Sequence, residues 1–208
     1  MQEQKKISLL IEEKGYDSAI IPQLEAHVLF QTKSAAYDFD ANRHLLKLYM
    51  FSPTAVKPDV LAKILVKSMM ALPQTDFLAC THLIPEKLHE TDPVKTALKL
   101  GNLLSSSQFK KFWADAKDSH FDATGFADAT RAFIASTVAL TYRTISCAAL
   151  KELLNLDDKA LDTFIATKGW KSNKSIVTIP APAETKSTSS KPDRLSLEQT
   201  SRLLSRYT

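Results

Sequence analysis

The stretch that most constrains this chain is residues 126–144, nineteen positions after Gly125 that hold neither glycine nor proline and carry formal charge only at Asp128, Arg131 and Arg143. Phe126, Ala129, Phe133, Thr137 and Leu140 recur at helical spacing, and Ile134, Val138, Tyr142 and Ile145 form a second stripe. A helix apolar on two faces packs between two layers rather than on one. Asp128, Thr137 and Thr141 break the apolar run too often for a bilayer span. The sequence therefore predicts a spine, with one unit before it and a smaller one after it.

Before the spine, prolines and capping residues cut the chain into helix-sized pieces. Gln2–Lys14 is amphipathic through Ile7, Leu10 and Ile11 and stops at Gly15. Pro22 suits the first turn of a helix that buries Leu24, Val28 and Leu29. Asp38 or Asp40 can cap a helix within 35–53 that turns Ala41, Leu45 and Leu48 inward. Pro58–Leu72 places Leu61, Ile64, Leu65, Ser68 and Leu72 inside, with Lys63 and Lys67 outside. Thr75 can cap the next helix, which ends before Pro85. Asp92, as cap, and Pro93, at the first helical position, open a helix that buries Val94, Ala97, Leu98, Gly101 and Leu104. Phe109, Phe112, Trp113 and Ala116 then make an aromatic face. Only four glycines occur in 208 residues, which favours an all-α fold. Residues 1–124 are expected to form a HEAT-like helical-repeat domain of antiparallel pairs, although no fixed repeat period is visible.

After the spine the texture changes. Ser146 can cap a short helix to Leu154, with Ile145 stapled onto Leu150, and Asp157 can cap another to Lys168. Trp170, a polar turn KSNKS and a strand Ile176–Ile179 follow. Three helices and a small β element within 125–180 give the order of a winged-helix domain. Residues 181–193 lack an apolar pattern and suit a linker. Ser196 and Gln199 form a capping box for a last short helix, which would present Leu197, Leu203, Leu204 and Tyr207 and would need a partner surface to be stable.

Charge narrows the function. Residues 1–122 hold fifteen basic and fifteen acidic side chains, residues 145–180 five and four, and residues 181–208 five and three. None of these is the basic field of an independent nucleic-acid binder. The helix in the recognition position carries Asp157, Asp158 and Asp162 against Lys159 and Lys168, which disfavours direct duplex DNA readout. Lys110, Lys111 and Lys117 could approach RNA, but a solvated helix face explains them equally well. His82 and His89 with Glu86 and Glu90 lack the i, i+4 spacing of a zinc helix and suit a solvated loop. No phosphate-binding glycine loop or nucleophile elbow occurs, so neither an enzyme, a cofactor nor a metal is expected. Cys80 and Cys147 suit buried reduced thiols in the cytosol or nucleus. The N-terminal residues lack the apolar core of a signal peptide.

Six motifs, in order, carry a family resemblance. AYDFDANRHLLKLYMFSP, LPQTDF, the FKKFWADA run, GFADATRAFI, TYRTI and KGW resemble the k-subunit family of eukaryotic translation initiation factor 3, over roughly residues 35–170. The resemblance implies a helical-repeat domain followed by a winged helix, related to PCI-type scaffold subunits of the proteasome lid and signalosome. It implies a non-catalytic, cytoplasmic subunit that pairs chiefly with the l subunit and meets the small ribosomal subunit through the complex. The candidate interface comprises Trp170, Ile176, Val177 and Ile179, with Leu197, Leu203, Leu204 and Tyr207 in the tail. Edge pairing by the Ile176–Ile179 strand is one route to that contact, and closure of the local core is the other use of the same residues.

Overall fold

The computed structural model describes residues 2–34, 36–119, 123–173 and 175–180. Eleven α-helices and three short strands occur among them. The upstream helices are α1 (Gln2–Lys14), α2 (Ile21–Lys33), α3 (Phe39–Phe51), α4 (Pro58–Met70), α5 (Asp76–Leu83), α6 (Glu86–His89), α7 (Val94–Ser105) and α8 (Phe109–Asp118). The spine is α9 (Phe126–Thr141), followed by β1 (Thr144–Ser146), α10 (Cys147–Leu154), α11 (Asp158–Thr167), β2 (Lys171–Asn173) and β3 (Ile176–Thr178). The architecture is mainly α with a small β wing, as the sequence predicts.

Caps explain several boundaries. Asp38 Oδ1 accepts from Ala41 N at 3.1 Å to start α3, and Ser146 Oγ accepts from Ala149 N at 3.2 Å to start α10. Thr75 and Asp157 precede their helices without a side-chain cap bond. Asp92 does not cap either. A cis bond joins it to Pro93, α7 begins at Val94, and Asp92 Oδ1 accepts from Thr96 Oγ1 instead. The expected loop around His89 contains the single turn α6, where His89 Nε2 bonds Ile84 O at 3.0 Å.

Burial follows the predicted stripes with three exceptions that come from tertiary contacts. α4 is the central helix, packed against α2, α5, α7 and α9. That surround takes in Lys67, which the amphipathic pattern puts outside but which is buried. Its Nζ donates to Ser34 O at 3.3 Å, at the C-terminus of α2, where a cation is favoured. Burial holds the ammonium pKa below its usual value. Leu29, expected inside, is exposed beside Phe30. The spine buries Thr130, Ile134, Ala135 and Val138, while Leu140 and Tyr142 are 73% and 48% exposed. One face of α9 is therefore fully covered and the C-terminal part of its other face is open. Cys80 is buried and its thiol is pushed up to about 12 by burial and the nearby Asp76, whereas Cys147 is only half-buried.

A polar cluster ties α2 to α3 inside this core. Gln31 and Asn42 exchange amide hydrogen bonds at 2.9 and 3.1 Å, and Gln31 Oε1 also accepts from Asp38 N. Buried Glu25 accepts from Tyr49 Oη at 2.7 Å and pairs with Lys57. His27 Nε2 contacts Asp38 Oδ2 at 3.2 Å. That contact, opposed by burial and helped by the cap bond from Ala41, holds the Asp38 carboxyl below its usual pKa. A carboxyl depressed in the folded state adds stability that is full above its unfolded pKa, about 4, and fades as pH falls through the lower folded value. Asp38→Asn keeps the cap but removes the charge, so urea midpoints should fall less steeply with acid below pH 5 than in the parent. Parallel curves would contradict this role.

Candidate protein-interaction surface

The wing is a three-stranded antiparallel sheet in the order β1-β3-β2. Thr144 pairs with Thr178, Ile145 with Val177 and Ser146 with Ile176, while Lys171, Ser172 and Asn173 pair with Thr178, Val177 and Ile176. The strand expected at an edge is thus the central one. Both its sides are occupied, so Ile176–Ile179 cannot pair with a partner strand, and the edge-pairing route through it is corrected. The polar stretch KSNKS, expected as a turn, supplies β2, and TYRTI supplies β1; at three residues each, neither strand gives a period-2 signal.

Alternation divides the candidate residues. Val177 and Ile179 are buried with Ile145 on the inner face, and Trp170 is buried with its ring edge-on to Phe164 at 6.3 Å. Ile176 is on the outer face, 49% exposed, between Ser146 and Asn173. Leu197, Leu203, Leu204 and Tyr207 lie outside the described residues.

The open edges are β1 and β2, and they differ. Ile179 N donates to Arg143 O and Cys147 N to Ser175 O, both at 2.9 Å. By the alternation of an antiparallel ladder, the backbone groups of Thr144 and the N–H of Ser146 then point to the free side of β1, while the Ser146 carbonyl starts α10. Exposed Leu140 and Tyr142 stand just upstream of that edge. The β2 edge is Lys171, Ser172 and Asn173, all exposed and polar, with the lysine that commonly blocks edge pairing. Sequence reasoning missed Leu140 and Tyr142 as surface residues because helical spacing placed both in apolar stripes.

Of the three lysines weighed for RNA contact, Lys110 and Lys111 are engaged within the chain, and Lys151 and Lys168 nearby are engaged as well. Lys110 pairs with Glu152, Lys111 Nζ donates to Gln108 Oε1 at 2.9 Å, and Lys151 pairs with Asp158 at 2.7 Å. Lys168 sits 5.7 Å from the Phe164 ring centroid. Among the described residues, no helix is long and apolar enough to cross a membrane, and no three His, Cys, Asp or Glu side chains gather to hold a metal ion.

The family model described as CSN8/PSMD8/EIF3K matches residues 55–189, from α4 through the wing. The chain belongs to the CSN8/PSMD8/EIF3K family. Its relatives include a human protein named eukaryotic translation initiation factor 3 subunit K, 38% identical over 77% of this chain and 75% of the relative. A Dictyostelium discoideum protein of the same name is 35% identical over 91% of this chain and 78% of its own length. One from Drosophila erecta, also of that name, is 35% identical over 75% and 72%. The matched region of this CSN8/PSMD8/EIF3K member includes both open sheet edges and the exposed end of α9.

Proposed function

We propose that this chain is a non-catalytic scaffold subunit of translation initiation factor 3. The observation that carries the reading is its likeness, over three-quarters of its length or more, to relatives named subunit K of that factor. Its organisation in this reading is a helical-repeat domain over 1–124, a winged-helix domain over 125–180 and a tail over 181–208. The principal partner is the l subunit, and the complex carries the chain to the small ribosomal subunit in the cytoplasm. The β1 edge supports a protein contact there, because it offers unpaired backbone groups beside an apolar rim and no lysine of its own.

Affinity purification through a tag on Met1, with mass spectrometry at moderate and high salt, tests the assignment. The other subunits of factor 3 should co-purify, the l subunit most resistant to salt. Recovery of proteasome-lid or signalosome subunits instead would keep the family and overturn the assignment. Nucleic acid alone, lost at high salt, would overturn the scaffold role.

Leu140→Asp with Tyr142→Ser should cut recovery of the l subunit at least about tenfold, since apolar anchors dominate interface energies. Both sites are exposed, so the thermal midpoint should move little. Unchanged recovery would exclude the β1 edge.

A further inference from the structure

The chain leaves the described residues beside the open face of α9. Ile179 N donates to Arg143 O at 2.9 Å, and exposed Pro180, which follows it, is the last described residue. The tail therefore departs next to Arg143, just after exposed Leu140 and Tyr142. From Ala132 to Tyr142 no residue carries formal charge. The exposed ones are Ala132, Ser136, Leu140, Thr141 and Tyr142, with Phe133 and Thr137 half-buried among them. A solvated helix face ordinarily carries charge, and this one carries none over about 15 Å of its axis.

The tail sequence carries the complement of that face. At helical spacing Leu197, Thr200, Leu204 and Tyr207 share one side, with Leu203 at its margin, while Glu198, Arg202 and Arg206 share the other. As a helix, residues 197–207 would be about 15 Å long, the length of the open face. A linker as long as residues 181–195 has a mean reach of about 20 Å, enough to bring that stripe back along α9. So short a helix needs a surface to be stable. A surface on its own chain is presented at an effective concentration of about millimolar, ahead of any second copy. We infer that, in the chain free of its partner, residues 197–207 dock as a helix along the Ala132–Tyr142 face of α9, with Leu197, Leu204 and Tyr207 covering Leu140 and Tyr142. The rim beside β1 is then shielded until the partner displaces the tail, so that assembly frees the rim and the apolar stripe together. The shielding rests on the reading of the β1 edge as the l-subunit contact; the docking does not.

Two experiments test the inference, both in the full-length chain. The first places a photo-crosslinker in the middle of the face, Ser136→p-benzoylphenylalanine, in the isolated chain, with ¹⁵N-labelled and unlabelled copies mixed. The joined peptide should come from residues 195–208 and carry the isotope of its own chain. A peptide from any other region, one from a second copy, or no joined peptide would overturn the docking. Leu197→Asp with Leu204→Asp should cut this product at least about tenfold, since both leucines lose their burial; an unchanged yield would also overturn it. The second experiment titrates the parent and this doubly substituted chain with purified l subunit. The variant should bind about threefold tighter or more, because none of it is withheld by the tail. Equal or weaker binding by the variant would overturn the shielding. Failure of both chains to bind would overturn the partner named above, and the shielding with it, while the crosslink still decides the docking.

Discussion

Gly101→Ala should destabilise the protein by about 1–2 kcal/mol, although alanine is the better helix former by about 1 kcal/mol. Gly101 lies in mid-α7, and a Cβ built there would come within 1.9 Å of Phe77 Cζ, with two further ring atoms at 2.4 and 2.6 Å. Phe77 is buried on α5, so its ring has no solvent to swing into. The overlap forces either α7 away from α5 or the ring off its rotamer, and such overpacking costs about 1–3 kcal/mol or more. The thermal midpoint should fall by several degrees for a chain of this size. Phe77→Leu alone should also destabilise, by emptying the ring's volume. Combined with Gly101→Ala it should cost less than the sum of the two, because the smaller side chain relieves the overlap. Additive losses would mean that the close approach is not what retains glycine here.

The same pair shows how far the sequence is legible. A glycine in mid-helix, with Val94, Ala97, Leu98 and Leu104 on the same face, already implies a close helix contact. Nothing local names Phe77 as the other side, because partner helices are chosen by tertiary packing. Helix positions follow from prolines, caps and 3.6-residue periodicity, and α1 matches its predicted span residue for residue. The strands are less visible. Three-residue strands carry no alternation to detect, so β1 is hidden at the start of a helical reading and β2 inside a polar turn. Seeing Ile176–Thr178 without its neighbours makes it look like an edge, when Thr144–Ser146 and Lys171–Asn173 in fact flank it. Lys67 is misplaced for a related reason: periodicity assumes one buried face, whereas α4 is surrounded. His27 looks isolated in sequence, and its partner Asp38 is eleven positions away on another element. The candidate surface inherits these limits. Apolar Val177, Ile179 and Trp170 serve the core, and the open rim falls on Leu140 and Tyr142.

Trp113→Ala should have the largest effect of all, a loss of about 3–5 kcal/mol, and it should loosen the wing from the helical array. Trp113 on α8 is buried, and its Nε1 donates to Leu153 O at 2.8 Å. Arg131 on α9 donates through Nε to Leu154 O at 3.3 Å, with its guanidinium 5.5 Å from the Trp113 ring centroid. These two side chains cap carbonyls at the C-terminus of α10 that the helix itself leaves unpaired. Trp113 also lies within one apolar cluster that includes residues from Ile7 to Ile179. Such continuity predicts a single cooperative transition in the parent chain. Removing the indole leaves a cavity, an unpaired Leu153 carbonyl and a guanidinium without its aromatic face, all at the junction. Trp170 is then the sole tryptophan, so its fluorescence reports the wing while circular dichroism reports the helices. In the variant, the fluorescence midpoint in urea should fall below the dichroism midpoint. Trp113→Phe, which keeps most of the volume but lacks the donor, should cost about 1–3 kcal/mol with the two midpoints closer together. Coincident midpoints and a loss below about 1 kcal/mol in the alanine variant would show that the wing is held by the rest of the apolar cluster and not by this cap.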